Sequence, residues 1–351
     1  MSKVLRKEEF RRDKKIKTAL FGATGAVGQV FMWMLHDHPW FELTRVVASE
    51  SREGKDYGSE VHWILPQEIP EEILSLEIAS FNIEEMKEQG IQIVFSALPN
   101  HIAKEIEPRL IEAGFAVFSN ASNYRYTENV PILIPEANMD QLNWIEKQGY
   151  PEKGFIITNA NCSTTGLAVA MAPLRKFGIK DVIVSTYQSV SGAGHPGLSA
   201  LDITGNVVPF IGGEEEKMRK EFRKILSVDV DIHPFCVRVP VMFGHLETVW
   251  VEFEQDVDLA DIEKAWAECS SGIDHLPSTP AKPIIYEDQN DLPQIKMAFY
   301  GDPEGMVVYT GRLKRQRNRI GFTLLVNNVV KGAAGGSIQN AEAFVAKYLD
   351  K

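Results

Sequence analysis

Residues 18–35, TALFGATGAVGQVFMWML, constrain the fold more than any other stretch of the chain. A short apolar run leads into Gly22, Gly25 and Gly28, and an amphipathic helical pattern follows. Glycine lets a strand turn sharply into a helix. It also lets the backbone approach a pyrophosphate, whose charge meets N–H groups and the positive end of the helix dipole. The spacing is GxxGxxG rather than GxGxxG, and tight strand-to-helix turns also use glycine for steric reasons alone. Because this is the first strand–helix unit of the chain, dinucleotide binding is the favoured reading, with Gly22, Thr24, Gly25, Ala26, Val27 and Gly28 as cofactor contacts.

The same alternation continues: IKTALFG, a helical pattern over 26–37, LTRVVAS, IQIVFSALP, a helical pattern over 101–113, and FAVFSN. Strands alternating with helices predict a parallel, doubly wound sheet. The expected fold is therefore α/β, with a Rossmann-type dinucleotide-binding domain at about 15–160. Beyond it, DVIVSTYQSVSG, FCVRVPV and ETVWVEFEQ alternate with period two between helical segments near 214–226 and 258–269, which predicts a second, α+β domain at 161–330 with an antiparallel or mixed sheet. The closing GAAGGSIQNAEAFVAKYL reads as a helix at about 331–349 that returns to the first domain.

The second strand of such a domain ends near the adenosine ribose, where an acidic residue favours NAD and a basic one accommodates the extra phosphate of NADP. Here it ends VVASESREGKDYG. Ser49, Ser51 and Arg52 suit a phosphate, whereas Glu50 suits a free ribose diol; NADP is the expected cofactor and NAD the alternative.

A net charge of −11 argues against nucleic-acid partners and anionic membrane surfaces, and the basic first seventeen residues read most simply as a solvated tail. No apolar run approaches the roughly 20 residues of a membrane span, so a cytoplasmic protein is expected. The three cysteines, Cys162, Cys236 and Cys269, have neither CxxC nor His-rich spacing, which suggests neither a disulfide framework nor a metal site.

Cys162 nevertheless sits in a distinctive place, in NANCSTTG at 159–166, where a strand gives way to a helix. A helix beginning at about Ser163 puts the thiol at its N-terminus, where the dipole and free amides favour a thiolate. A nucleophilic cysteine beside a nicotinamide suits attack on an aldehyde, hydride transfer and release of the thioester to an acceptor. The reaction needs a base near neutrality, which favours histidine. His245, in a turn just before a strand, is the first candidate among eight histidines, and His195 in SGAGHPG is its competitor; His36, His38 and His275 read as surface or helix-end residues. Arg125 and Arg238 are candidate clamps for carboxylate or phosphate, because a guanidinium grips either with two hydrogen bonds.

Taken together, GATGAVG, FSALP, SNASNYR, VPILIPEAN, NANCSTTG, QSVSGAG, NVVPFIGGEEEK, GHLE and GAAGGS resemble, in this order and nearly end to end, the aspartate-β-semialdehyde dehydrogenase family in its archaeal and fungal branch. The resemblance implies Cys162 as nucleophile, His245 as general acid/base and Gln188 as a substrate-positioning residue. It implies Arg125, Asn161 and Lys217 for phosphate, Arg238 for the substrate carboxylate and Glu214 for its amino group. Asn328, with Ser191 and Gly192, would approach the nicotinamide. The implied reaction is reversible, NADPH-dependent reductive dephosphorylation of 4-phospho-L-aspartate, on the way to lysine, threonine and methionine. The implied assembly is a homodimer or homotetramer formed through the second domain's sheet.

The chain departs from the family pattern at Ala160, where proline is common, at Arg52, displaced by one position, and at Lys331, where arginine is commoner. Two other readings remain open. One is a malonyl-CoA or succinyl-CoA reductase, which uses the same cysteine chemistry; Asn161 and GGEEEK favour an amino-acid phosphate instead, although EEEKMRKEFRK also suits a solvated helix face. The other is a nucleotide sensor that has lost catalysis, whose mark would be a missing nucleophile or base.

Overall fold

The computed structural model describes residues 9–194, 197–269 and 272–350, and these fall into two compact units. The first contains residues up to Leu133, Asp140–Asn159 and the chain from Ala334 onward. Its sheet has six parallel strands: β1 (Ile16–Phe21), β2 (Phe41–Val47), β3 (Ile78–Ala79), β4 (Ile93–Ser96), β5 (Ala116–Ser119) and β6 (Phe155–Thr158). They lie in the order β3-β2-β1-β4-β5-β6. Every residue of β4, β5 and β6 is buried, as expected of a parallel sheet covered on both faces.

Phe31, Phe95, Phe118 and Phe155 make a chain of ring contacts through this core. The helix Gly335–Phe344 closes it, with Phe344 against Phe118 and Phe155. Its Glu342 accepts from His38 Nε2 at 3.0 Å, while His38 Nδ1 accepts the backbone N–H of Trp40 and Phe41. Of the two readings for His38, surface or helix end, the second holds: it lies just beyond the helix Ala26–Leu35 and is a buried tie between helix and sheet.

The order reverses at β1, which pairs with both β2 and β4. Ligands of open α/β sheets bind at such a switch point, beyond the carboxyl ends of the strands. Gly22 stands there with φ +82°, and a Cβ on it would lie 2.6 Å from Ala97 O. A Cβ on Gly28 would lie 2.2 Å from Gly22 O, so this glycine lets the helix Ala26–Leu35 pack against its own loop.

The second unit comprises Ile134–Met139 and Ala160–Ala333. Its mixed sheet contains β7 (Ile179–Gln188), β8 (Asp231–Arg238), β9 (His245–Phe253), β10 (Ile284–Glu287), β11 (Val308–Gln316) and β12 (Arg319–Val326). They lie in the order β10-β11-β12-β9-β7-β8. β7 is parallel to β8 and antiparallel to β9, which is antiparallel to β12. Burial alternates strictly along β9, so one face is covered and the other is left partly open.

The segment 134–139 belongs to the second unit although its sequence neighbours on both sides belong to the first. A buried ion pair holds it there. Lys331 Nζ donates to both carboxylate oxygens of Glu136 at 2.7 Å, and both side chains are almost fully buried. The family departure at Lys331 therefore keeps a cation where Glu136 requires one.

Candidate active site

Strand register assembles one cluster in the second unit. Gln188 ends β7 and Arg238 ends β8, side by side in register. His245 opens β9, whose Leu246 pairs with Tyr187. The helix Cys162–Met171 packs on β9 and β12, and its first residue brings Cys162 Sγ to 3.1 Å from His245 Nε2.

The helix begins at Cys162 itself, with Asn161 as its N-cap. Asn161 Oδ1 accepts from the backbone N–H of Ser163 and Thr164 at 3.2 and 3.3 Å. These first-turn amides, expected from sequence to face the sulfur, are instead spent on the cap. What favours a thiolate is the helix dipole, with no acidic residue in the first turn, and the imidazole opposite. Gly332, which sequence reasoning passed over, makes room on the other side: a Cβ there would stand 2.9 Å from Cys162 Cβ.

His245 is fully buried. Its Nδ1 accepts the backbone N–H of Ser189 at 3.1 Å, which assigns the neutral ring's proton to Nε2, the nitrogen facing Cys162. Burial first, and Arg238 second, push its pKa down to about 3. The resting pair is therefore a neutral imidazole donating Nε2–H to the sulfur. Asn328 fixes the turn before it: Oδ1 accepts from Gly244 N–H at 2.8 Å and Nδ2 donates to Ser191 Oγ at 2.9 Å. Gly192 is required to be small, since a Cβ would meet Arg238 Nη1 at 2.9 Å and His245 Cε1 at 3.3 Å.

Around this pair lie groups of both charges. Arg238 is buried and Nη1 donates to Ser189 O at 2.7 Å. Glu214 opens the helix Glu214–Leu226 and receives Asn161 Nδ2 at 2.7 Å, Lys217 Nζ at 2.8 Å and Gln188 Nε2 at 3.4 Å. Burial alone would raise the Glu214 carboxyl, but Lys217 and the two amides outweigh it and hold it below its ordinary value. Glu216 instead pairs with Arg219 and Lys220 on the solvated side of that helix, while the half-buried Glu215 meets Arg219 and accepts the backbone N–H of Cys236 at 3.4 Å. Glu221 was not foreseen: fully buried, it accepts the backbone N–H of Asn161 at 2.6 Å. Its spacing of seven from Glu214, on one helical face, is the signal that could have found it.

Arg125 belongs to the first unit, where it is buried and donates from Nη2 to Asn120 O at 3.1 Å. The same unit carries the cofactor loop. Gly25 caps the helix Ala26–Leu35 without any side-chain cap bond, and a Cβ on Gly25 would meet nothing closer than 3.5 Å, so the loop's surface is open where backbone must face a phosphate. Arg52 Nη1 donates to Thr24 Oγ1, and Ser49 and Ser51 hydroxyls lie 3.2 Å apart on the adjacent exposed turn. Backbone N–H groups, hydroxyls and a guanidinium at this loop are chemically suited to a phosphorylated dinucleotide. His195 lies outside the described residues. Among the described residues no group of His, Cys, Asp and Glu could hold a metal, and no helix is long and apolar enough to cross a membrane.

The model of the semialdehyde dehydrogenase NAD binding domain matches residues 17–145, and that of the semialdehyde dehydrogenase dimerisation domain matches residues 171–331. An aspartate-semialdehyde dehydrogenase of Archaeoglobus fulgidus is 43% identical over 95% of this chain and 99% of its own length. The chain belongs to the semialdehyde dehydrogenase family. Another member of comparable length, the malonyl CoA reductase (NADP) of Metallosphaera sedula, is 34% identical over 96% of this chain and 99% of its own. The crystal structure of aspartate semialdehyde dehydrogenase with NADP from Candida albicans superposes with a TM-score of 0.84, at 32% identity, over 95% of this chain and 99% of that one.

Proposed function

We propose that this semialdehyde dehydrogenase family member is an NADP-dependent aspartate-semialdehyde dehydrogenase. The observation that carries the reading is the 3.1 Å Cys162–His245 contact flanked by a buried arginine and a buried glutamate. An amino-acid substrate needs both: Arg238 for its carboxylate and Glu214 for its ammonium group. Lys217 and Asn161 lie beside Glu214 and are assigned to the phosphate.

In the biosynthetic direction Cys162 Sγ attacks the acyl carbon of 4-phospho-L-aspartate, the C–O bond to phosphate breaks, and a thioester forms. Gln188, at the end of β7, orients the acyl group. NADPH, when bound, supplies the hydride that reduces the thioester. His245 Nε2 holds the proton at the resulting tetrahedral oxygen and exchanges it as the C–S bond breaks to release the aldehyde. Asn328 and Ser191 keep the imidazole turn in place through Gly244.

A malonyl-CoA reductase would use the same sulfur, but its substrate has no ammonium group to meet Glu214. Purified protein should reduce NADP with aspartate semialdehyde and phosphate, and should leave malonyl-CoA and NADPH unreacted. Turnover of the thioester alone would overturn the substrate assignment. Turnover of neither, with NADP still bound, would favour a sensor.

Assembly as a homodimer or homotetramer is proposed through the open face of the second sheet, where Ile183, Tyr187, Leu246 and Trp250 are only half-buried in one chain. A sedimentation mass of one chain at micromolar concentration would refute it.

A further inference from the structure

The ribose end of the cofactor loop holds an anion as well as cations. Glu60 Oε1 pairs with Lys55 Nζ at 3.0 Å and its Oε2 with Arg52 Nε at 3.5 Å, while Arg52 reaches Thr24. The carboxylate is not a loose surface group. It ends the single turn Tyr57–Glu60, whose fully buried Tyr57 donates its hydroxyl to Ala23 O at 3.0 Å and its backbone N–H to Leu76 O at 2.8 Å. Glu60 is thereby tied to the glycine loop through Ala23 and to its cations through both oxygens, and only about a fifth of its side chain is exposed.

We propose that Glu60 is a specificity-determining residue that restrains the preference for the 2′-phosphorylated cofactor over the unphosphorylated one. A 2′-phosphate carries nearly two negative charges at neutral pH. It is drawn by Arg52 and Lys55 but must compete with Glu60 for both, and it is repelled by the carboxylate at short range. A free ribose meets no such repulsion, and a carboxylate at this place accepts its hydroxyl hydrogens. Glu60 therefore subtracts from NADP binding and adds to NAD binding. Without it the same turn would present two uncompensated cations. Glu50, the acidic residue singled out from sequence, is exposed on the preceding turn; the ion pairs place Glu60 in its stead.

The inference rests on the NADP assignment above, and calorimetry with 2′,5′-ADP and 5′-AMP as probes separates the two. Wild-type protein that binds 2′,5′-ADP supports the assignment; wild-type protein that binds neither 2′,5′-ADP nor NADP removes both claims. Glu60→Gln keeps the size and removes the charge. It should lower the Kd of 2′,5′-ADP relative to that of 5′-AMP by about five- to tenfold at 0.05 M salt, and by less at 0.5 M, where screening shortens the interaction. Glu60→Ala should shift the ratio in the same direction. Glu53→Gln removes an equal charge from the neighbouring turn without breaking a pair to Arg52 or Lys55, and should move the ratio less than twofold. An unchanged ratio in Glu60→Gln, or an equal shift in Glu53→Gln, would overturn the role of Glu60 while leaving the cofactor assignment intact.

Discussion

Cys162→Ala should lower turnover of aspartate semialdehyde by at least about 10⁴ while leaving NADP affinity and the thermal midpoint close to wild type. The loss is that large because no other atom can form the acyl intermediate. Cys236 and Cys269 are buried, and burial pushes their thiols up to about 12 and about 11, so neither is a thiolate near neutrality. Cys162 differs on each count: it is only half-buried, opens a helix and faces an imidazole N–H. Iodoacetamide should therefore label Cys162 first, and the variant should resist labelling on the same timescale. Cys162→Ser should be nearly as inactive, since a hydroxyl is far less acidic than a thiol and the buried neutral imidazole is a weak base toward it. Turnover within tenfold of wild type in Cys162→Ala would remove covalent catalysis from the account.

Much of this site was legible in the sequence because its signals are local. A glycine loop between strand and helix, a cysteine at a strand–helix joint and a Gly-His turn before an alternating run each combine backbone geometry with chemistry in a few residues. What escaped depends on register. That Ser189 N–H fixes the His245 tautomer follows from antiparallel pairing of β7 with β9, and nothing near either residue announces it. Glu221 sits in a charged run in which Glu216 is solvated and Glu215 half-buried, and only the rotation of the helix against Asn161 separates them. The Glu136–Lys331 pair joins residues 195 apart, so the transfer of 134–139 to the second unit could not be read from composition. The amides at the head of the cysteine helix fail in the opposite way. The local rule predicts them to be available, and the cap residue's own side chain takes them.

His245→Ala should reduce kcat by about 10² to 10⁴ with little change in substrate affinity, as expected when a proton-transfer group is removed from a site whose anion clamps remain. The pH dependence is the more discriminating measurement. With its pKa pushed down to about 3 by burial and by Arg238, free-enzyme His245 is neutral throughout the neutral range. The kcat/KM profile of wild type should show no ionisation from this imidazole near 6.5, although that is the ordinary value for histidine. Bound substrate offsets only the smaller cause, because a carboxylate on Arg238 weakens the cation that disfavours imidazolium while burial, the larger cause, remains. The same depressed pKa fixes a stability trend. Between about 6.5 and about 3 the unfolded chain binds a proton at this residue and the folded one does not, so stability is full above 6.5 and falls as pH drops through that window. The slope is at most about 1.4 kcal/mol per pH unit, or about 2 kcal/mol between pH 6.5 and pH 5. Urea unfolding of wild type and of His245→Gln at pH 7.5 and pH 5 isolates it, because glutamine has no proton to bind and its variant should lose that much less stability on acidification. Equal losses in the two proteins would mean that the imidazole is hydrated or already charged, and the neutral Nε2–H donor to Cys162 would have to be abandoned.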